Sequence, residues 1–317
     1  MTGIMRALTL TLTEGRMGLG EAPIPVPRPG QVLVEIKVSA VNEMDVQVRA
    51  GGWKSQVKRF RKVGPVLTGF EFAGVTRSDA GRIRTGQRVI GYVHVLSGPR
   101  VHAGHACIDE NDLQAVPADM GDEDAAALVV MGLTAIEILE GLKRLDAGRR
   151  CLVIGAAGGV GVYAVQLASR QGAEVTAVCS AANADWVRSM GAADVRPYES
   201  QARYRPGDRF DLIVDCPAKS SFREAAPFLA KGGMYVSTNP LADPMGFVRS
   251  AVSSRKAGYL MMLTTTPAKL SRLIELRGQG ALRPAIDSVF DLEDADAAFD
   301  RFAARGKQGR VLLRISP

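Results

Sequence analysis

The chain has 317 residues, with 40 Lys and Arg against 33 Asp and Glu, a formal net charge of +7. Hydrophobic residues make up 46% and charged residues 23%, which argues against a disordered or fibrous chain, and the length fits two domains that each bury a core. Four scattered cysteines with no CxxC pair argue against a disulfide framework or a zinc knuckle. No apolar run approaches the roughly 20 residues of a spanning helix and no secretory pattern opens the chain, so a reduced, cytoplasmic protein without membrane partners is expected.

The first third reads as β. Pro23, Pro25, Pro27 and Pro29 form a run suited to an extended edge or a connector. Gln31 to Val41 alternates apolar residues at Val32, Val34, Ile36 and Val38, the period of a strand. The next stretch is basic: Lys54, Lys58, Arg59, Arg61 and Lys62 stand with Trp53 and Phe60. It reads as a solvated loop, or as a patch that steers an anionic cofactor or substrate. A nucleic-acid partner is not expected, since no DNA or RNA motif accompanies it. Gly69 to Val75 and Arg88 to Val95 predict further strands of a small barrel-like unit.

Asp119 to Asp124 is acidic, and Ala125 to Leu142 reads as helix. From Cys151 the pattern becomes strand, turn, helix, repeated. Strands are predicted at CLVIG, Glu174–Cys179, Phe210–Cys216, Met234–Ser237 and, more weakly, Tyr259–Leu263. Helices are predicted over Gly159–Gln171, Asn183–Met190, Ser221–Ala230 and Ala268–Gln279. Apolar strands alternating with such helices imply a parallel sheet covered on both faces. Beyond Leu282 the pieces shorten: Ile286–Phe290 is extended, Leu292–Ala304 helical, and Arg310–Ile315 a last strand that can complete the first domain.

The strongest motif is Gly155-Ala156-Ala157-Gly158-Gly159-Val160-Gly161, which follows an apolar strand and opens a helix. That is the context of a dinucleotide-binding turn. Gly158 lets the backbone approach a pyrophosphate, Gly161 lets the helix pack on the strand, and the helix N-terminus offers N–H groups to the phosphates. An NAD site usually carries Asp or Glu about 20 residues on, at the end of the second strand. Here that strand ends Ala177-Val178-Cys179-Ser180, without a carboxylate. Ser180 is a candidate ligand of a 2′-phosphate, with Arg188 or Lys219 supplying charge; it also reads as an ordinary helix-start residue. NADPH is expected over NADH, by at least tenfold in affinity.

The segments GAAGGVGVYAVQLA, MGLTA (Met131 to Ala135) and IDSVFDLEDADAAFDRFAARGKQGRVLL resemble the zinc-independent quinone oxidoreductase branch of the medium-chain dehydrogenase/reductase superfamily, close to the reticulon-4-interacting protein-like group. The resemblance covers nearly the whole chain. It implies a GroES-like catalytic domain from both ends of the chain (1–120 with 283–317) and a Rossmann domain between (121–282), the whole an α/β fold with a doubly wound parallel sheet. It also implies a homodimer, often formed by Rossmann edge strands; Met234–Ser237 and Tyr259–Met262 are the candidates. In that group the Ser after the second strand and the Tyr after the third bind NADPH, which match Ser180 and Tyr198. The expected cofactor set is Ala157, Gly158, Gly159, Val160, Gly161, Ser180, Arg188, Tyr198, Asn239 and Arg310.

Zinc alcohol dehydrogenases of this superfamily carry a Cys ligand in a CxxD segment and a His ligand in a GHE segment. The corresponding segments here read Asn42-Glu43-Met44-Asp45 and Gly69-Phe70-Glu71. Asn and Phe cannot supply a thiolate and an imidazole, so no metal is expected. His102, His105 and Cys107 are close in sequence but lack a standard ligand spacing. The segment after Asn42 departs from the family, with Gln47 where many quinone oxidoreductases have Tyr. The expectation is an NADPH-dependent reductase of a quinone or enone, with Asn42, Gln47, Arg49 and Thr134 as candidate oxyanion donors. Asn42 reads equally as a turn residue closing its strand, and Asp45 as structural. The alternative is an NADPH-binding sensor or RNA-binding accessory protein with little turnover.

Overall fold

The computed structural model describes residues 3–11, 16–50, 66–93, 97–239, 241–260 and 265–316. The basic stretch from Trp53 to Lys62 and His94 lie outside them. The chain opens with a hairpin, β1 (Ile4–Thr11) against β2 (Arg16–Pro23). β2 absorbs the first residue of the proline run, and the other three prolines form the connector. β3 (Gln31–Ala40) buries Val32, Val34, Ile36 and Val38 at alternate positions, as the pattern predicts.

After β3 the chain does not simply turn at Asn42 but enters α1 (Glu43–Arg49). Asn42 is the N-cap, and its backbone N–H donates to the Asp45 carboxylate at 3.0 Å. A partner for that N–H starts a helix even though Val46 and Val48 alternate like a strand. Short strands follow: β4 (Val66–Leu67), β5 (Glu71–Thr76), β6 (Arg88–Tyr92), β7 (His105–Asp109) and β8 (Leu113–Ala115).

Helix α2 (Asp122–Ile136) starts three residues earlier than predicted and continues as a π-helical turn over Glu137–Leu142. Residues 122–142 together are long and apolar enough to cross a membrane, contrary to the sequence reading, but most of them are buried inside the fold. The alternating region then runs β9 (Arg150–Ile154), α3 (Gly159–Arg170), β10 (Glu174–Cys179), α4 (Ala184–Ser189), β11 (Asp194–Pro197) and β12 (Phe210–Asp215). It goes on through α5 (Phe222–Ala225), β13 (Leu229–Ser237), α6 (Pro244–Ala251), β14 (Lys256–Tyr259) and α7 (Pro267–Gly278). The predicted helix to Ala230 is cut short because Pro227 follows and β13 begins at Leu229. The weak strand lies earlier than expected, and β11 and α6 were not anticipated. The chain ends with β15 (Ile286–Asp291), α8 (Ala295–Ala303) and β16 (Arg310–Arg314).

Strands β11-β10-β9-β12-β13-β14 form one parallel sheet in that order, a doubly wound Rossmann arrangement. β14 is its edge; β13 pairs on both sides, so Met234–Ser237 is not an edge strand. A second sheet has the order β15-β16-β3-β5-β6-β8, with β7 paired to β3. β16 runs antiparallel to β3 with Leu312 opposite Ala40, so the C-terminus closes the first β unit. The fold is α/β: a Rossmann sheet joined to a GroES-like β domain. One apolar cluster runs through both, from Val38, Ala73 and Ile90 past Leu128 and Leu133 to Val153, Val165 and Leu212. This common core holds the C-terminal strand against the first turn of the Rossmann sheet.

Candidate active site

The glycine turn stands at the carboxyl end of β9, the central strand of the parallel sheet. Gly155 has φ +76°, a conformation that favours glycine, and Gly158 caps α3 in an extended conformation. A β-carbon on Gly161 would overlap the Gly155 carbonyl, so only glycine lets the helix start this close to the strand. Ala157 accepts a hydrogen bond from the Gly309 N–H at 2.9 Å. That bond brings the start of β16 onto the turn.

Arg310 follows and is 1% exposed. Its guanidinium forms an ion pair with Glu71, which is 0% exposed, and donates to the Asn42 Oδ1 at 3.1 Å. Glu71 also accepts the Val130 N–H of α2 at 2.6 Å. Burial pushes the Glu71 carboxyl up, against the pull of Arg310. The Arg310 Nε has no hydrogen-bond partner among the described residues, and Nη1 lies 3.3 Å from where a Gly159 β-carbon would stand. A buried donor left without a partner beside a helix N-terminus is a place for an anion. A second such atom is the Ser180 Oγ, at the end of β10; Ser180 is 8% exposed. Two orphaned polar atoms along one glycine turn fit a dinucleotide: pyrophosphate at Gly158–Gly161 and Arg310, adenosine ribose toward Ser180.

The other expected cofactor residues divide. Tyr198 is 49% exposed and clipped to β10, its N–H donating to the Cys179 carbonyl at 3.0 Å, so it stands beside Ser180. Arg188 is exposed and paired with Asp185 at 2.7 Å, which offsets its charge. Lys219 is exposed, and its N–H donates to Asp215. Asn239 follows β13, its Oδ1 accepting the Leu241 N–H at 3.0 Å. Sequence reasoning missed Glu199, whose carboxylate accepts the Ala181 N–H at 3.1 Å. β10 indeed ends without a carboxylate, but β11 delivers one to the same place.

The candidate donors are not brought together. Gln47 is exposed and donates to Glu43. Arg49 pairs with Asp296 and Asp300 and lies over the Phe299 ring, so it is committed to α8. The Thr134 hydroxyl donates to the Val130 carbonyl of its own helix at 2.7 Å. Only Asn42 adjoins Arg310. It is 7% exposed, its Oδ1 accepts from Arg310, and its Nδ2 donates to the Ala40 carbonyl at 3.3 Å. Asn42 therefore holds Arg310 through its Oδ1, while one N–H of its amide is taken up by Ala40. Asn42→Ala is expected to weaken binding of NADPH about tenfold in a fluorescence titration, the loss of one hydrogen bond to a charged group. Unchanged affinity with a lower kcat would instead favour Asn42 as an oxyanion donor.

His102 is fully buried and kept neutral by burial. Its Nε2 meets the Ala40 carbonyl at 3.3 Å, so Nε2 carries the proton, and Nδ1 accepts from Thr68 at 2.9 Å. Asp45 accepts the Gly69 N–H at 2.9 Å besides that of Asn42, which makes it structural. Among the described residues no three of His, Cys, Asp and Glu converge on one point.

Comparison with known proteins agrees with this fold. The alcohol dehydrogenase GroES-like domain matches residues 28–130, and the zinc-binding dehydrogenase family matches residues 190–313. A chloroplast envelope quinone oxidoreductase homolog of Arabidopsis thaliana is 29% identical over 309 residues, 92% of each chain. The trans-enoyl reductase pgmF of Aspergillus terreus is 27% identical over 329 residues, covering 96% of this chain and 89% of its own. The quinone oxidoreductase structure from Coxiella burnetii superposes with a TM-score of 0.88 at 22% identity, over 99% of this chain and 100% of that one.

Proposed function

Because the chain belongs to the medium-chain dehydrogenase/reductase superfamily, we propose that it is a zinc-independent, NADPH-dependent oxidoreductase that reduces a quinone or another conjugated carbonyl. The observation that carries the cofactor half is the glycine turn flanked by two buried, unpartnered polar atoms, Arg310 Nε and Ser180 Oγ. The cofactor supplies hydride when bound. The chain supplies position. The N-terminus of α3 and Arg310 hold the diphosphate, Glu71 and Asn42 hold Arg310, and Ser180 with Tyr198 receives the 2′-phosphate end.

The acceptor half rests on the residues that stand at the positions of zinc ligands. Asn42 stands where a thiolate ligand would be, and Phe70, buried, where an imidazole would be. A simple alkoxide needs a metal or a proton relay, and His102 is tied to Thr68 and Ala40. A conjugated acceptor spreads the incoming charge, so water or backbone donors suffice. Quinone oxidoreductases and a trans-enoyl reductase among the relatives support the same acceptor chemistry. The sensor or RNA-binding alternative draws on the basic stretch at 53–62, outside the described residues.

Metal analysis tests the zinc-independent reading. The purified protein is expected to hold no stoichiometric zinc and to keep its quinone reductase rate after chelation. Stoichiometric zinc, with activity lost on its removal, would refute it.

A further inference from the structure

We propose that Glu199 is the residue that limits the preference for a phosphorylated cofactor. The inference rests on the reading of this end of the turn as the adenosine ribose subsite. Three observations meet there. β10 ends at Cys179, and the next residue, Ser180, is more than nine-tenths buried with a hydroxyl that has no partner among the described residues. The next N–H, that of Ala181, is held by the Glu199 carboxylate at 3.1 Å. Glu199 follows Tyr198, whose own N–H is fastened to the Cys179 carbonyl, so the register of β11 on β10 fixes where the carboxylate can reach.

The charge balance of the subsite follows. Glu199 and Arg188 both act on the Cys179 thiol, the first raising its pKa and the second lowering it beneath the larger effect of burial, so both flank the end of β10. Arg188 is already paired with Asp185. A 2′-phosphate arriving at Ser180 meets a carboxylate that occupies the nearest backbone donor, and it must displace that carboxylate to bind the Ala181 N–H. A 2′-hydroxyl carries no charge, and it can donate to Glu199 where it stands. Glu199 is exposed, so displacement is open to it and its penalty is screened by salt. The carboxylate thus works against NADPH while leaving NADH undisturbed.

The test compares Glu199→Gln with the unmodified chain. Glutamine keeps the side-chain oxygen that holds the Ala181 N–H and removes only the charge. Dissociation constants for NADPH and NADH are measured by nucleotide fluorescence titration at low and moderate salt. Glu199→Gln should tighten NADPH about tenfold at low salt, and less at moderate salt, while NADH changes less than twofold. Equal shifts for both nucleotides, or none, would overturn the role of Glu199. That result is distinct from failure of the NADPH reading itself, which appears as tighter binding of NADH by the unmodified chain. A chain that bound neither nucleotide would overturn both.

Discussion

Arg310→Met should destabilise the protein by about 3–5 kcal/mol at neutral pH. Arg310 and Glu71 form a buried pair, 1% and 0% exposed, and Glu71 has its other oxygen on the Val130 N–H. Removing the guanidinium leaves Glu71 either charged in an apolar core or forced to take up a proton. Its folded pKa, raised by burial and freed from the pull of Arg310, then lies well above the unfolded value. The stability of the variant should therefore be best below the ordinary glutamate range and fall as the pH rises through the folded pKa. The double variant Glu71→Gln/Arg310→Met has no charge to strand. It should recover part of the loss and be insensitive to that titration. Urea denaturation of the three proteins at several pH values reads this directly. A single variant as stable as the unmodified chain would show that the buried pair does not hold β16 against β5.

The second large effect is expected at Ser180. Ser180→Asp places a carboxylate at the end of β10, where the proposal puts the 2′-phosphate. Like charges at short range in a partly desolvated site cost on the order of a few kcal/mol, which is roughly a hundredfold in affinity. NADPH should lose about that much, and NADH should lose little, because an aspartate there can accept from a 2′-hydroxyl. Ser180→Ala separates the charge from the missing hydroxyl and should cost only a few-fold. Dissociation constants of both nucleotides for the three proteins decide it. Equal constants for NADPH and NADH in the unmodified chain would remove the basis of the expectation.

The parts of this site differ in how far the sequence alone exposes them. The glycine turn is legible because its function is local: a strand, a tight turn and a helix lie within the 21 residues Arg150–Arg170, and Gly155 and Gly161 each have a steric reason. β3 is legible for the same cause, since alternation at Val32, Val34, Ile36 and Val38 needs no knowledge of partners. The Glu71–Arg310 pair is not local. Its members stand 239 positions apart, and Arg310 opens a strand whose pattern shows only that it is extended. Nothing in that pattern tells a buried ion pair from a solvated edge. Asn42 illustrates the same difficulty. In sequence it reads only as a turn residue closing β3 or as a donor, and only the arrival of β16 turns its amide into a support for Arg310. Glu199 escaped because the rule for cofactor choice follows one strand, whereas β11 is four residues long and lays its end against β10.

The central claim is reduction of a conjugated carbonyl without a metal. The measurement that tests it most directly is the rate of NADPH consumption with a panel of quinones and enones, set against NADP⁺ reduction by ethanol and secondary alcohols. Quinones or enones are predicted to be turned over, with alcohols far slower. A simple alcohol proving a far better substrate than any quinone or enone would contradict the account.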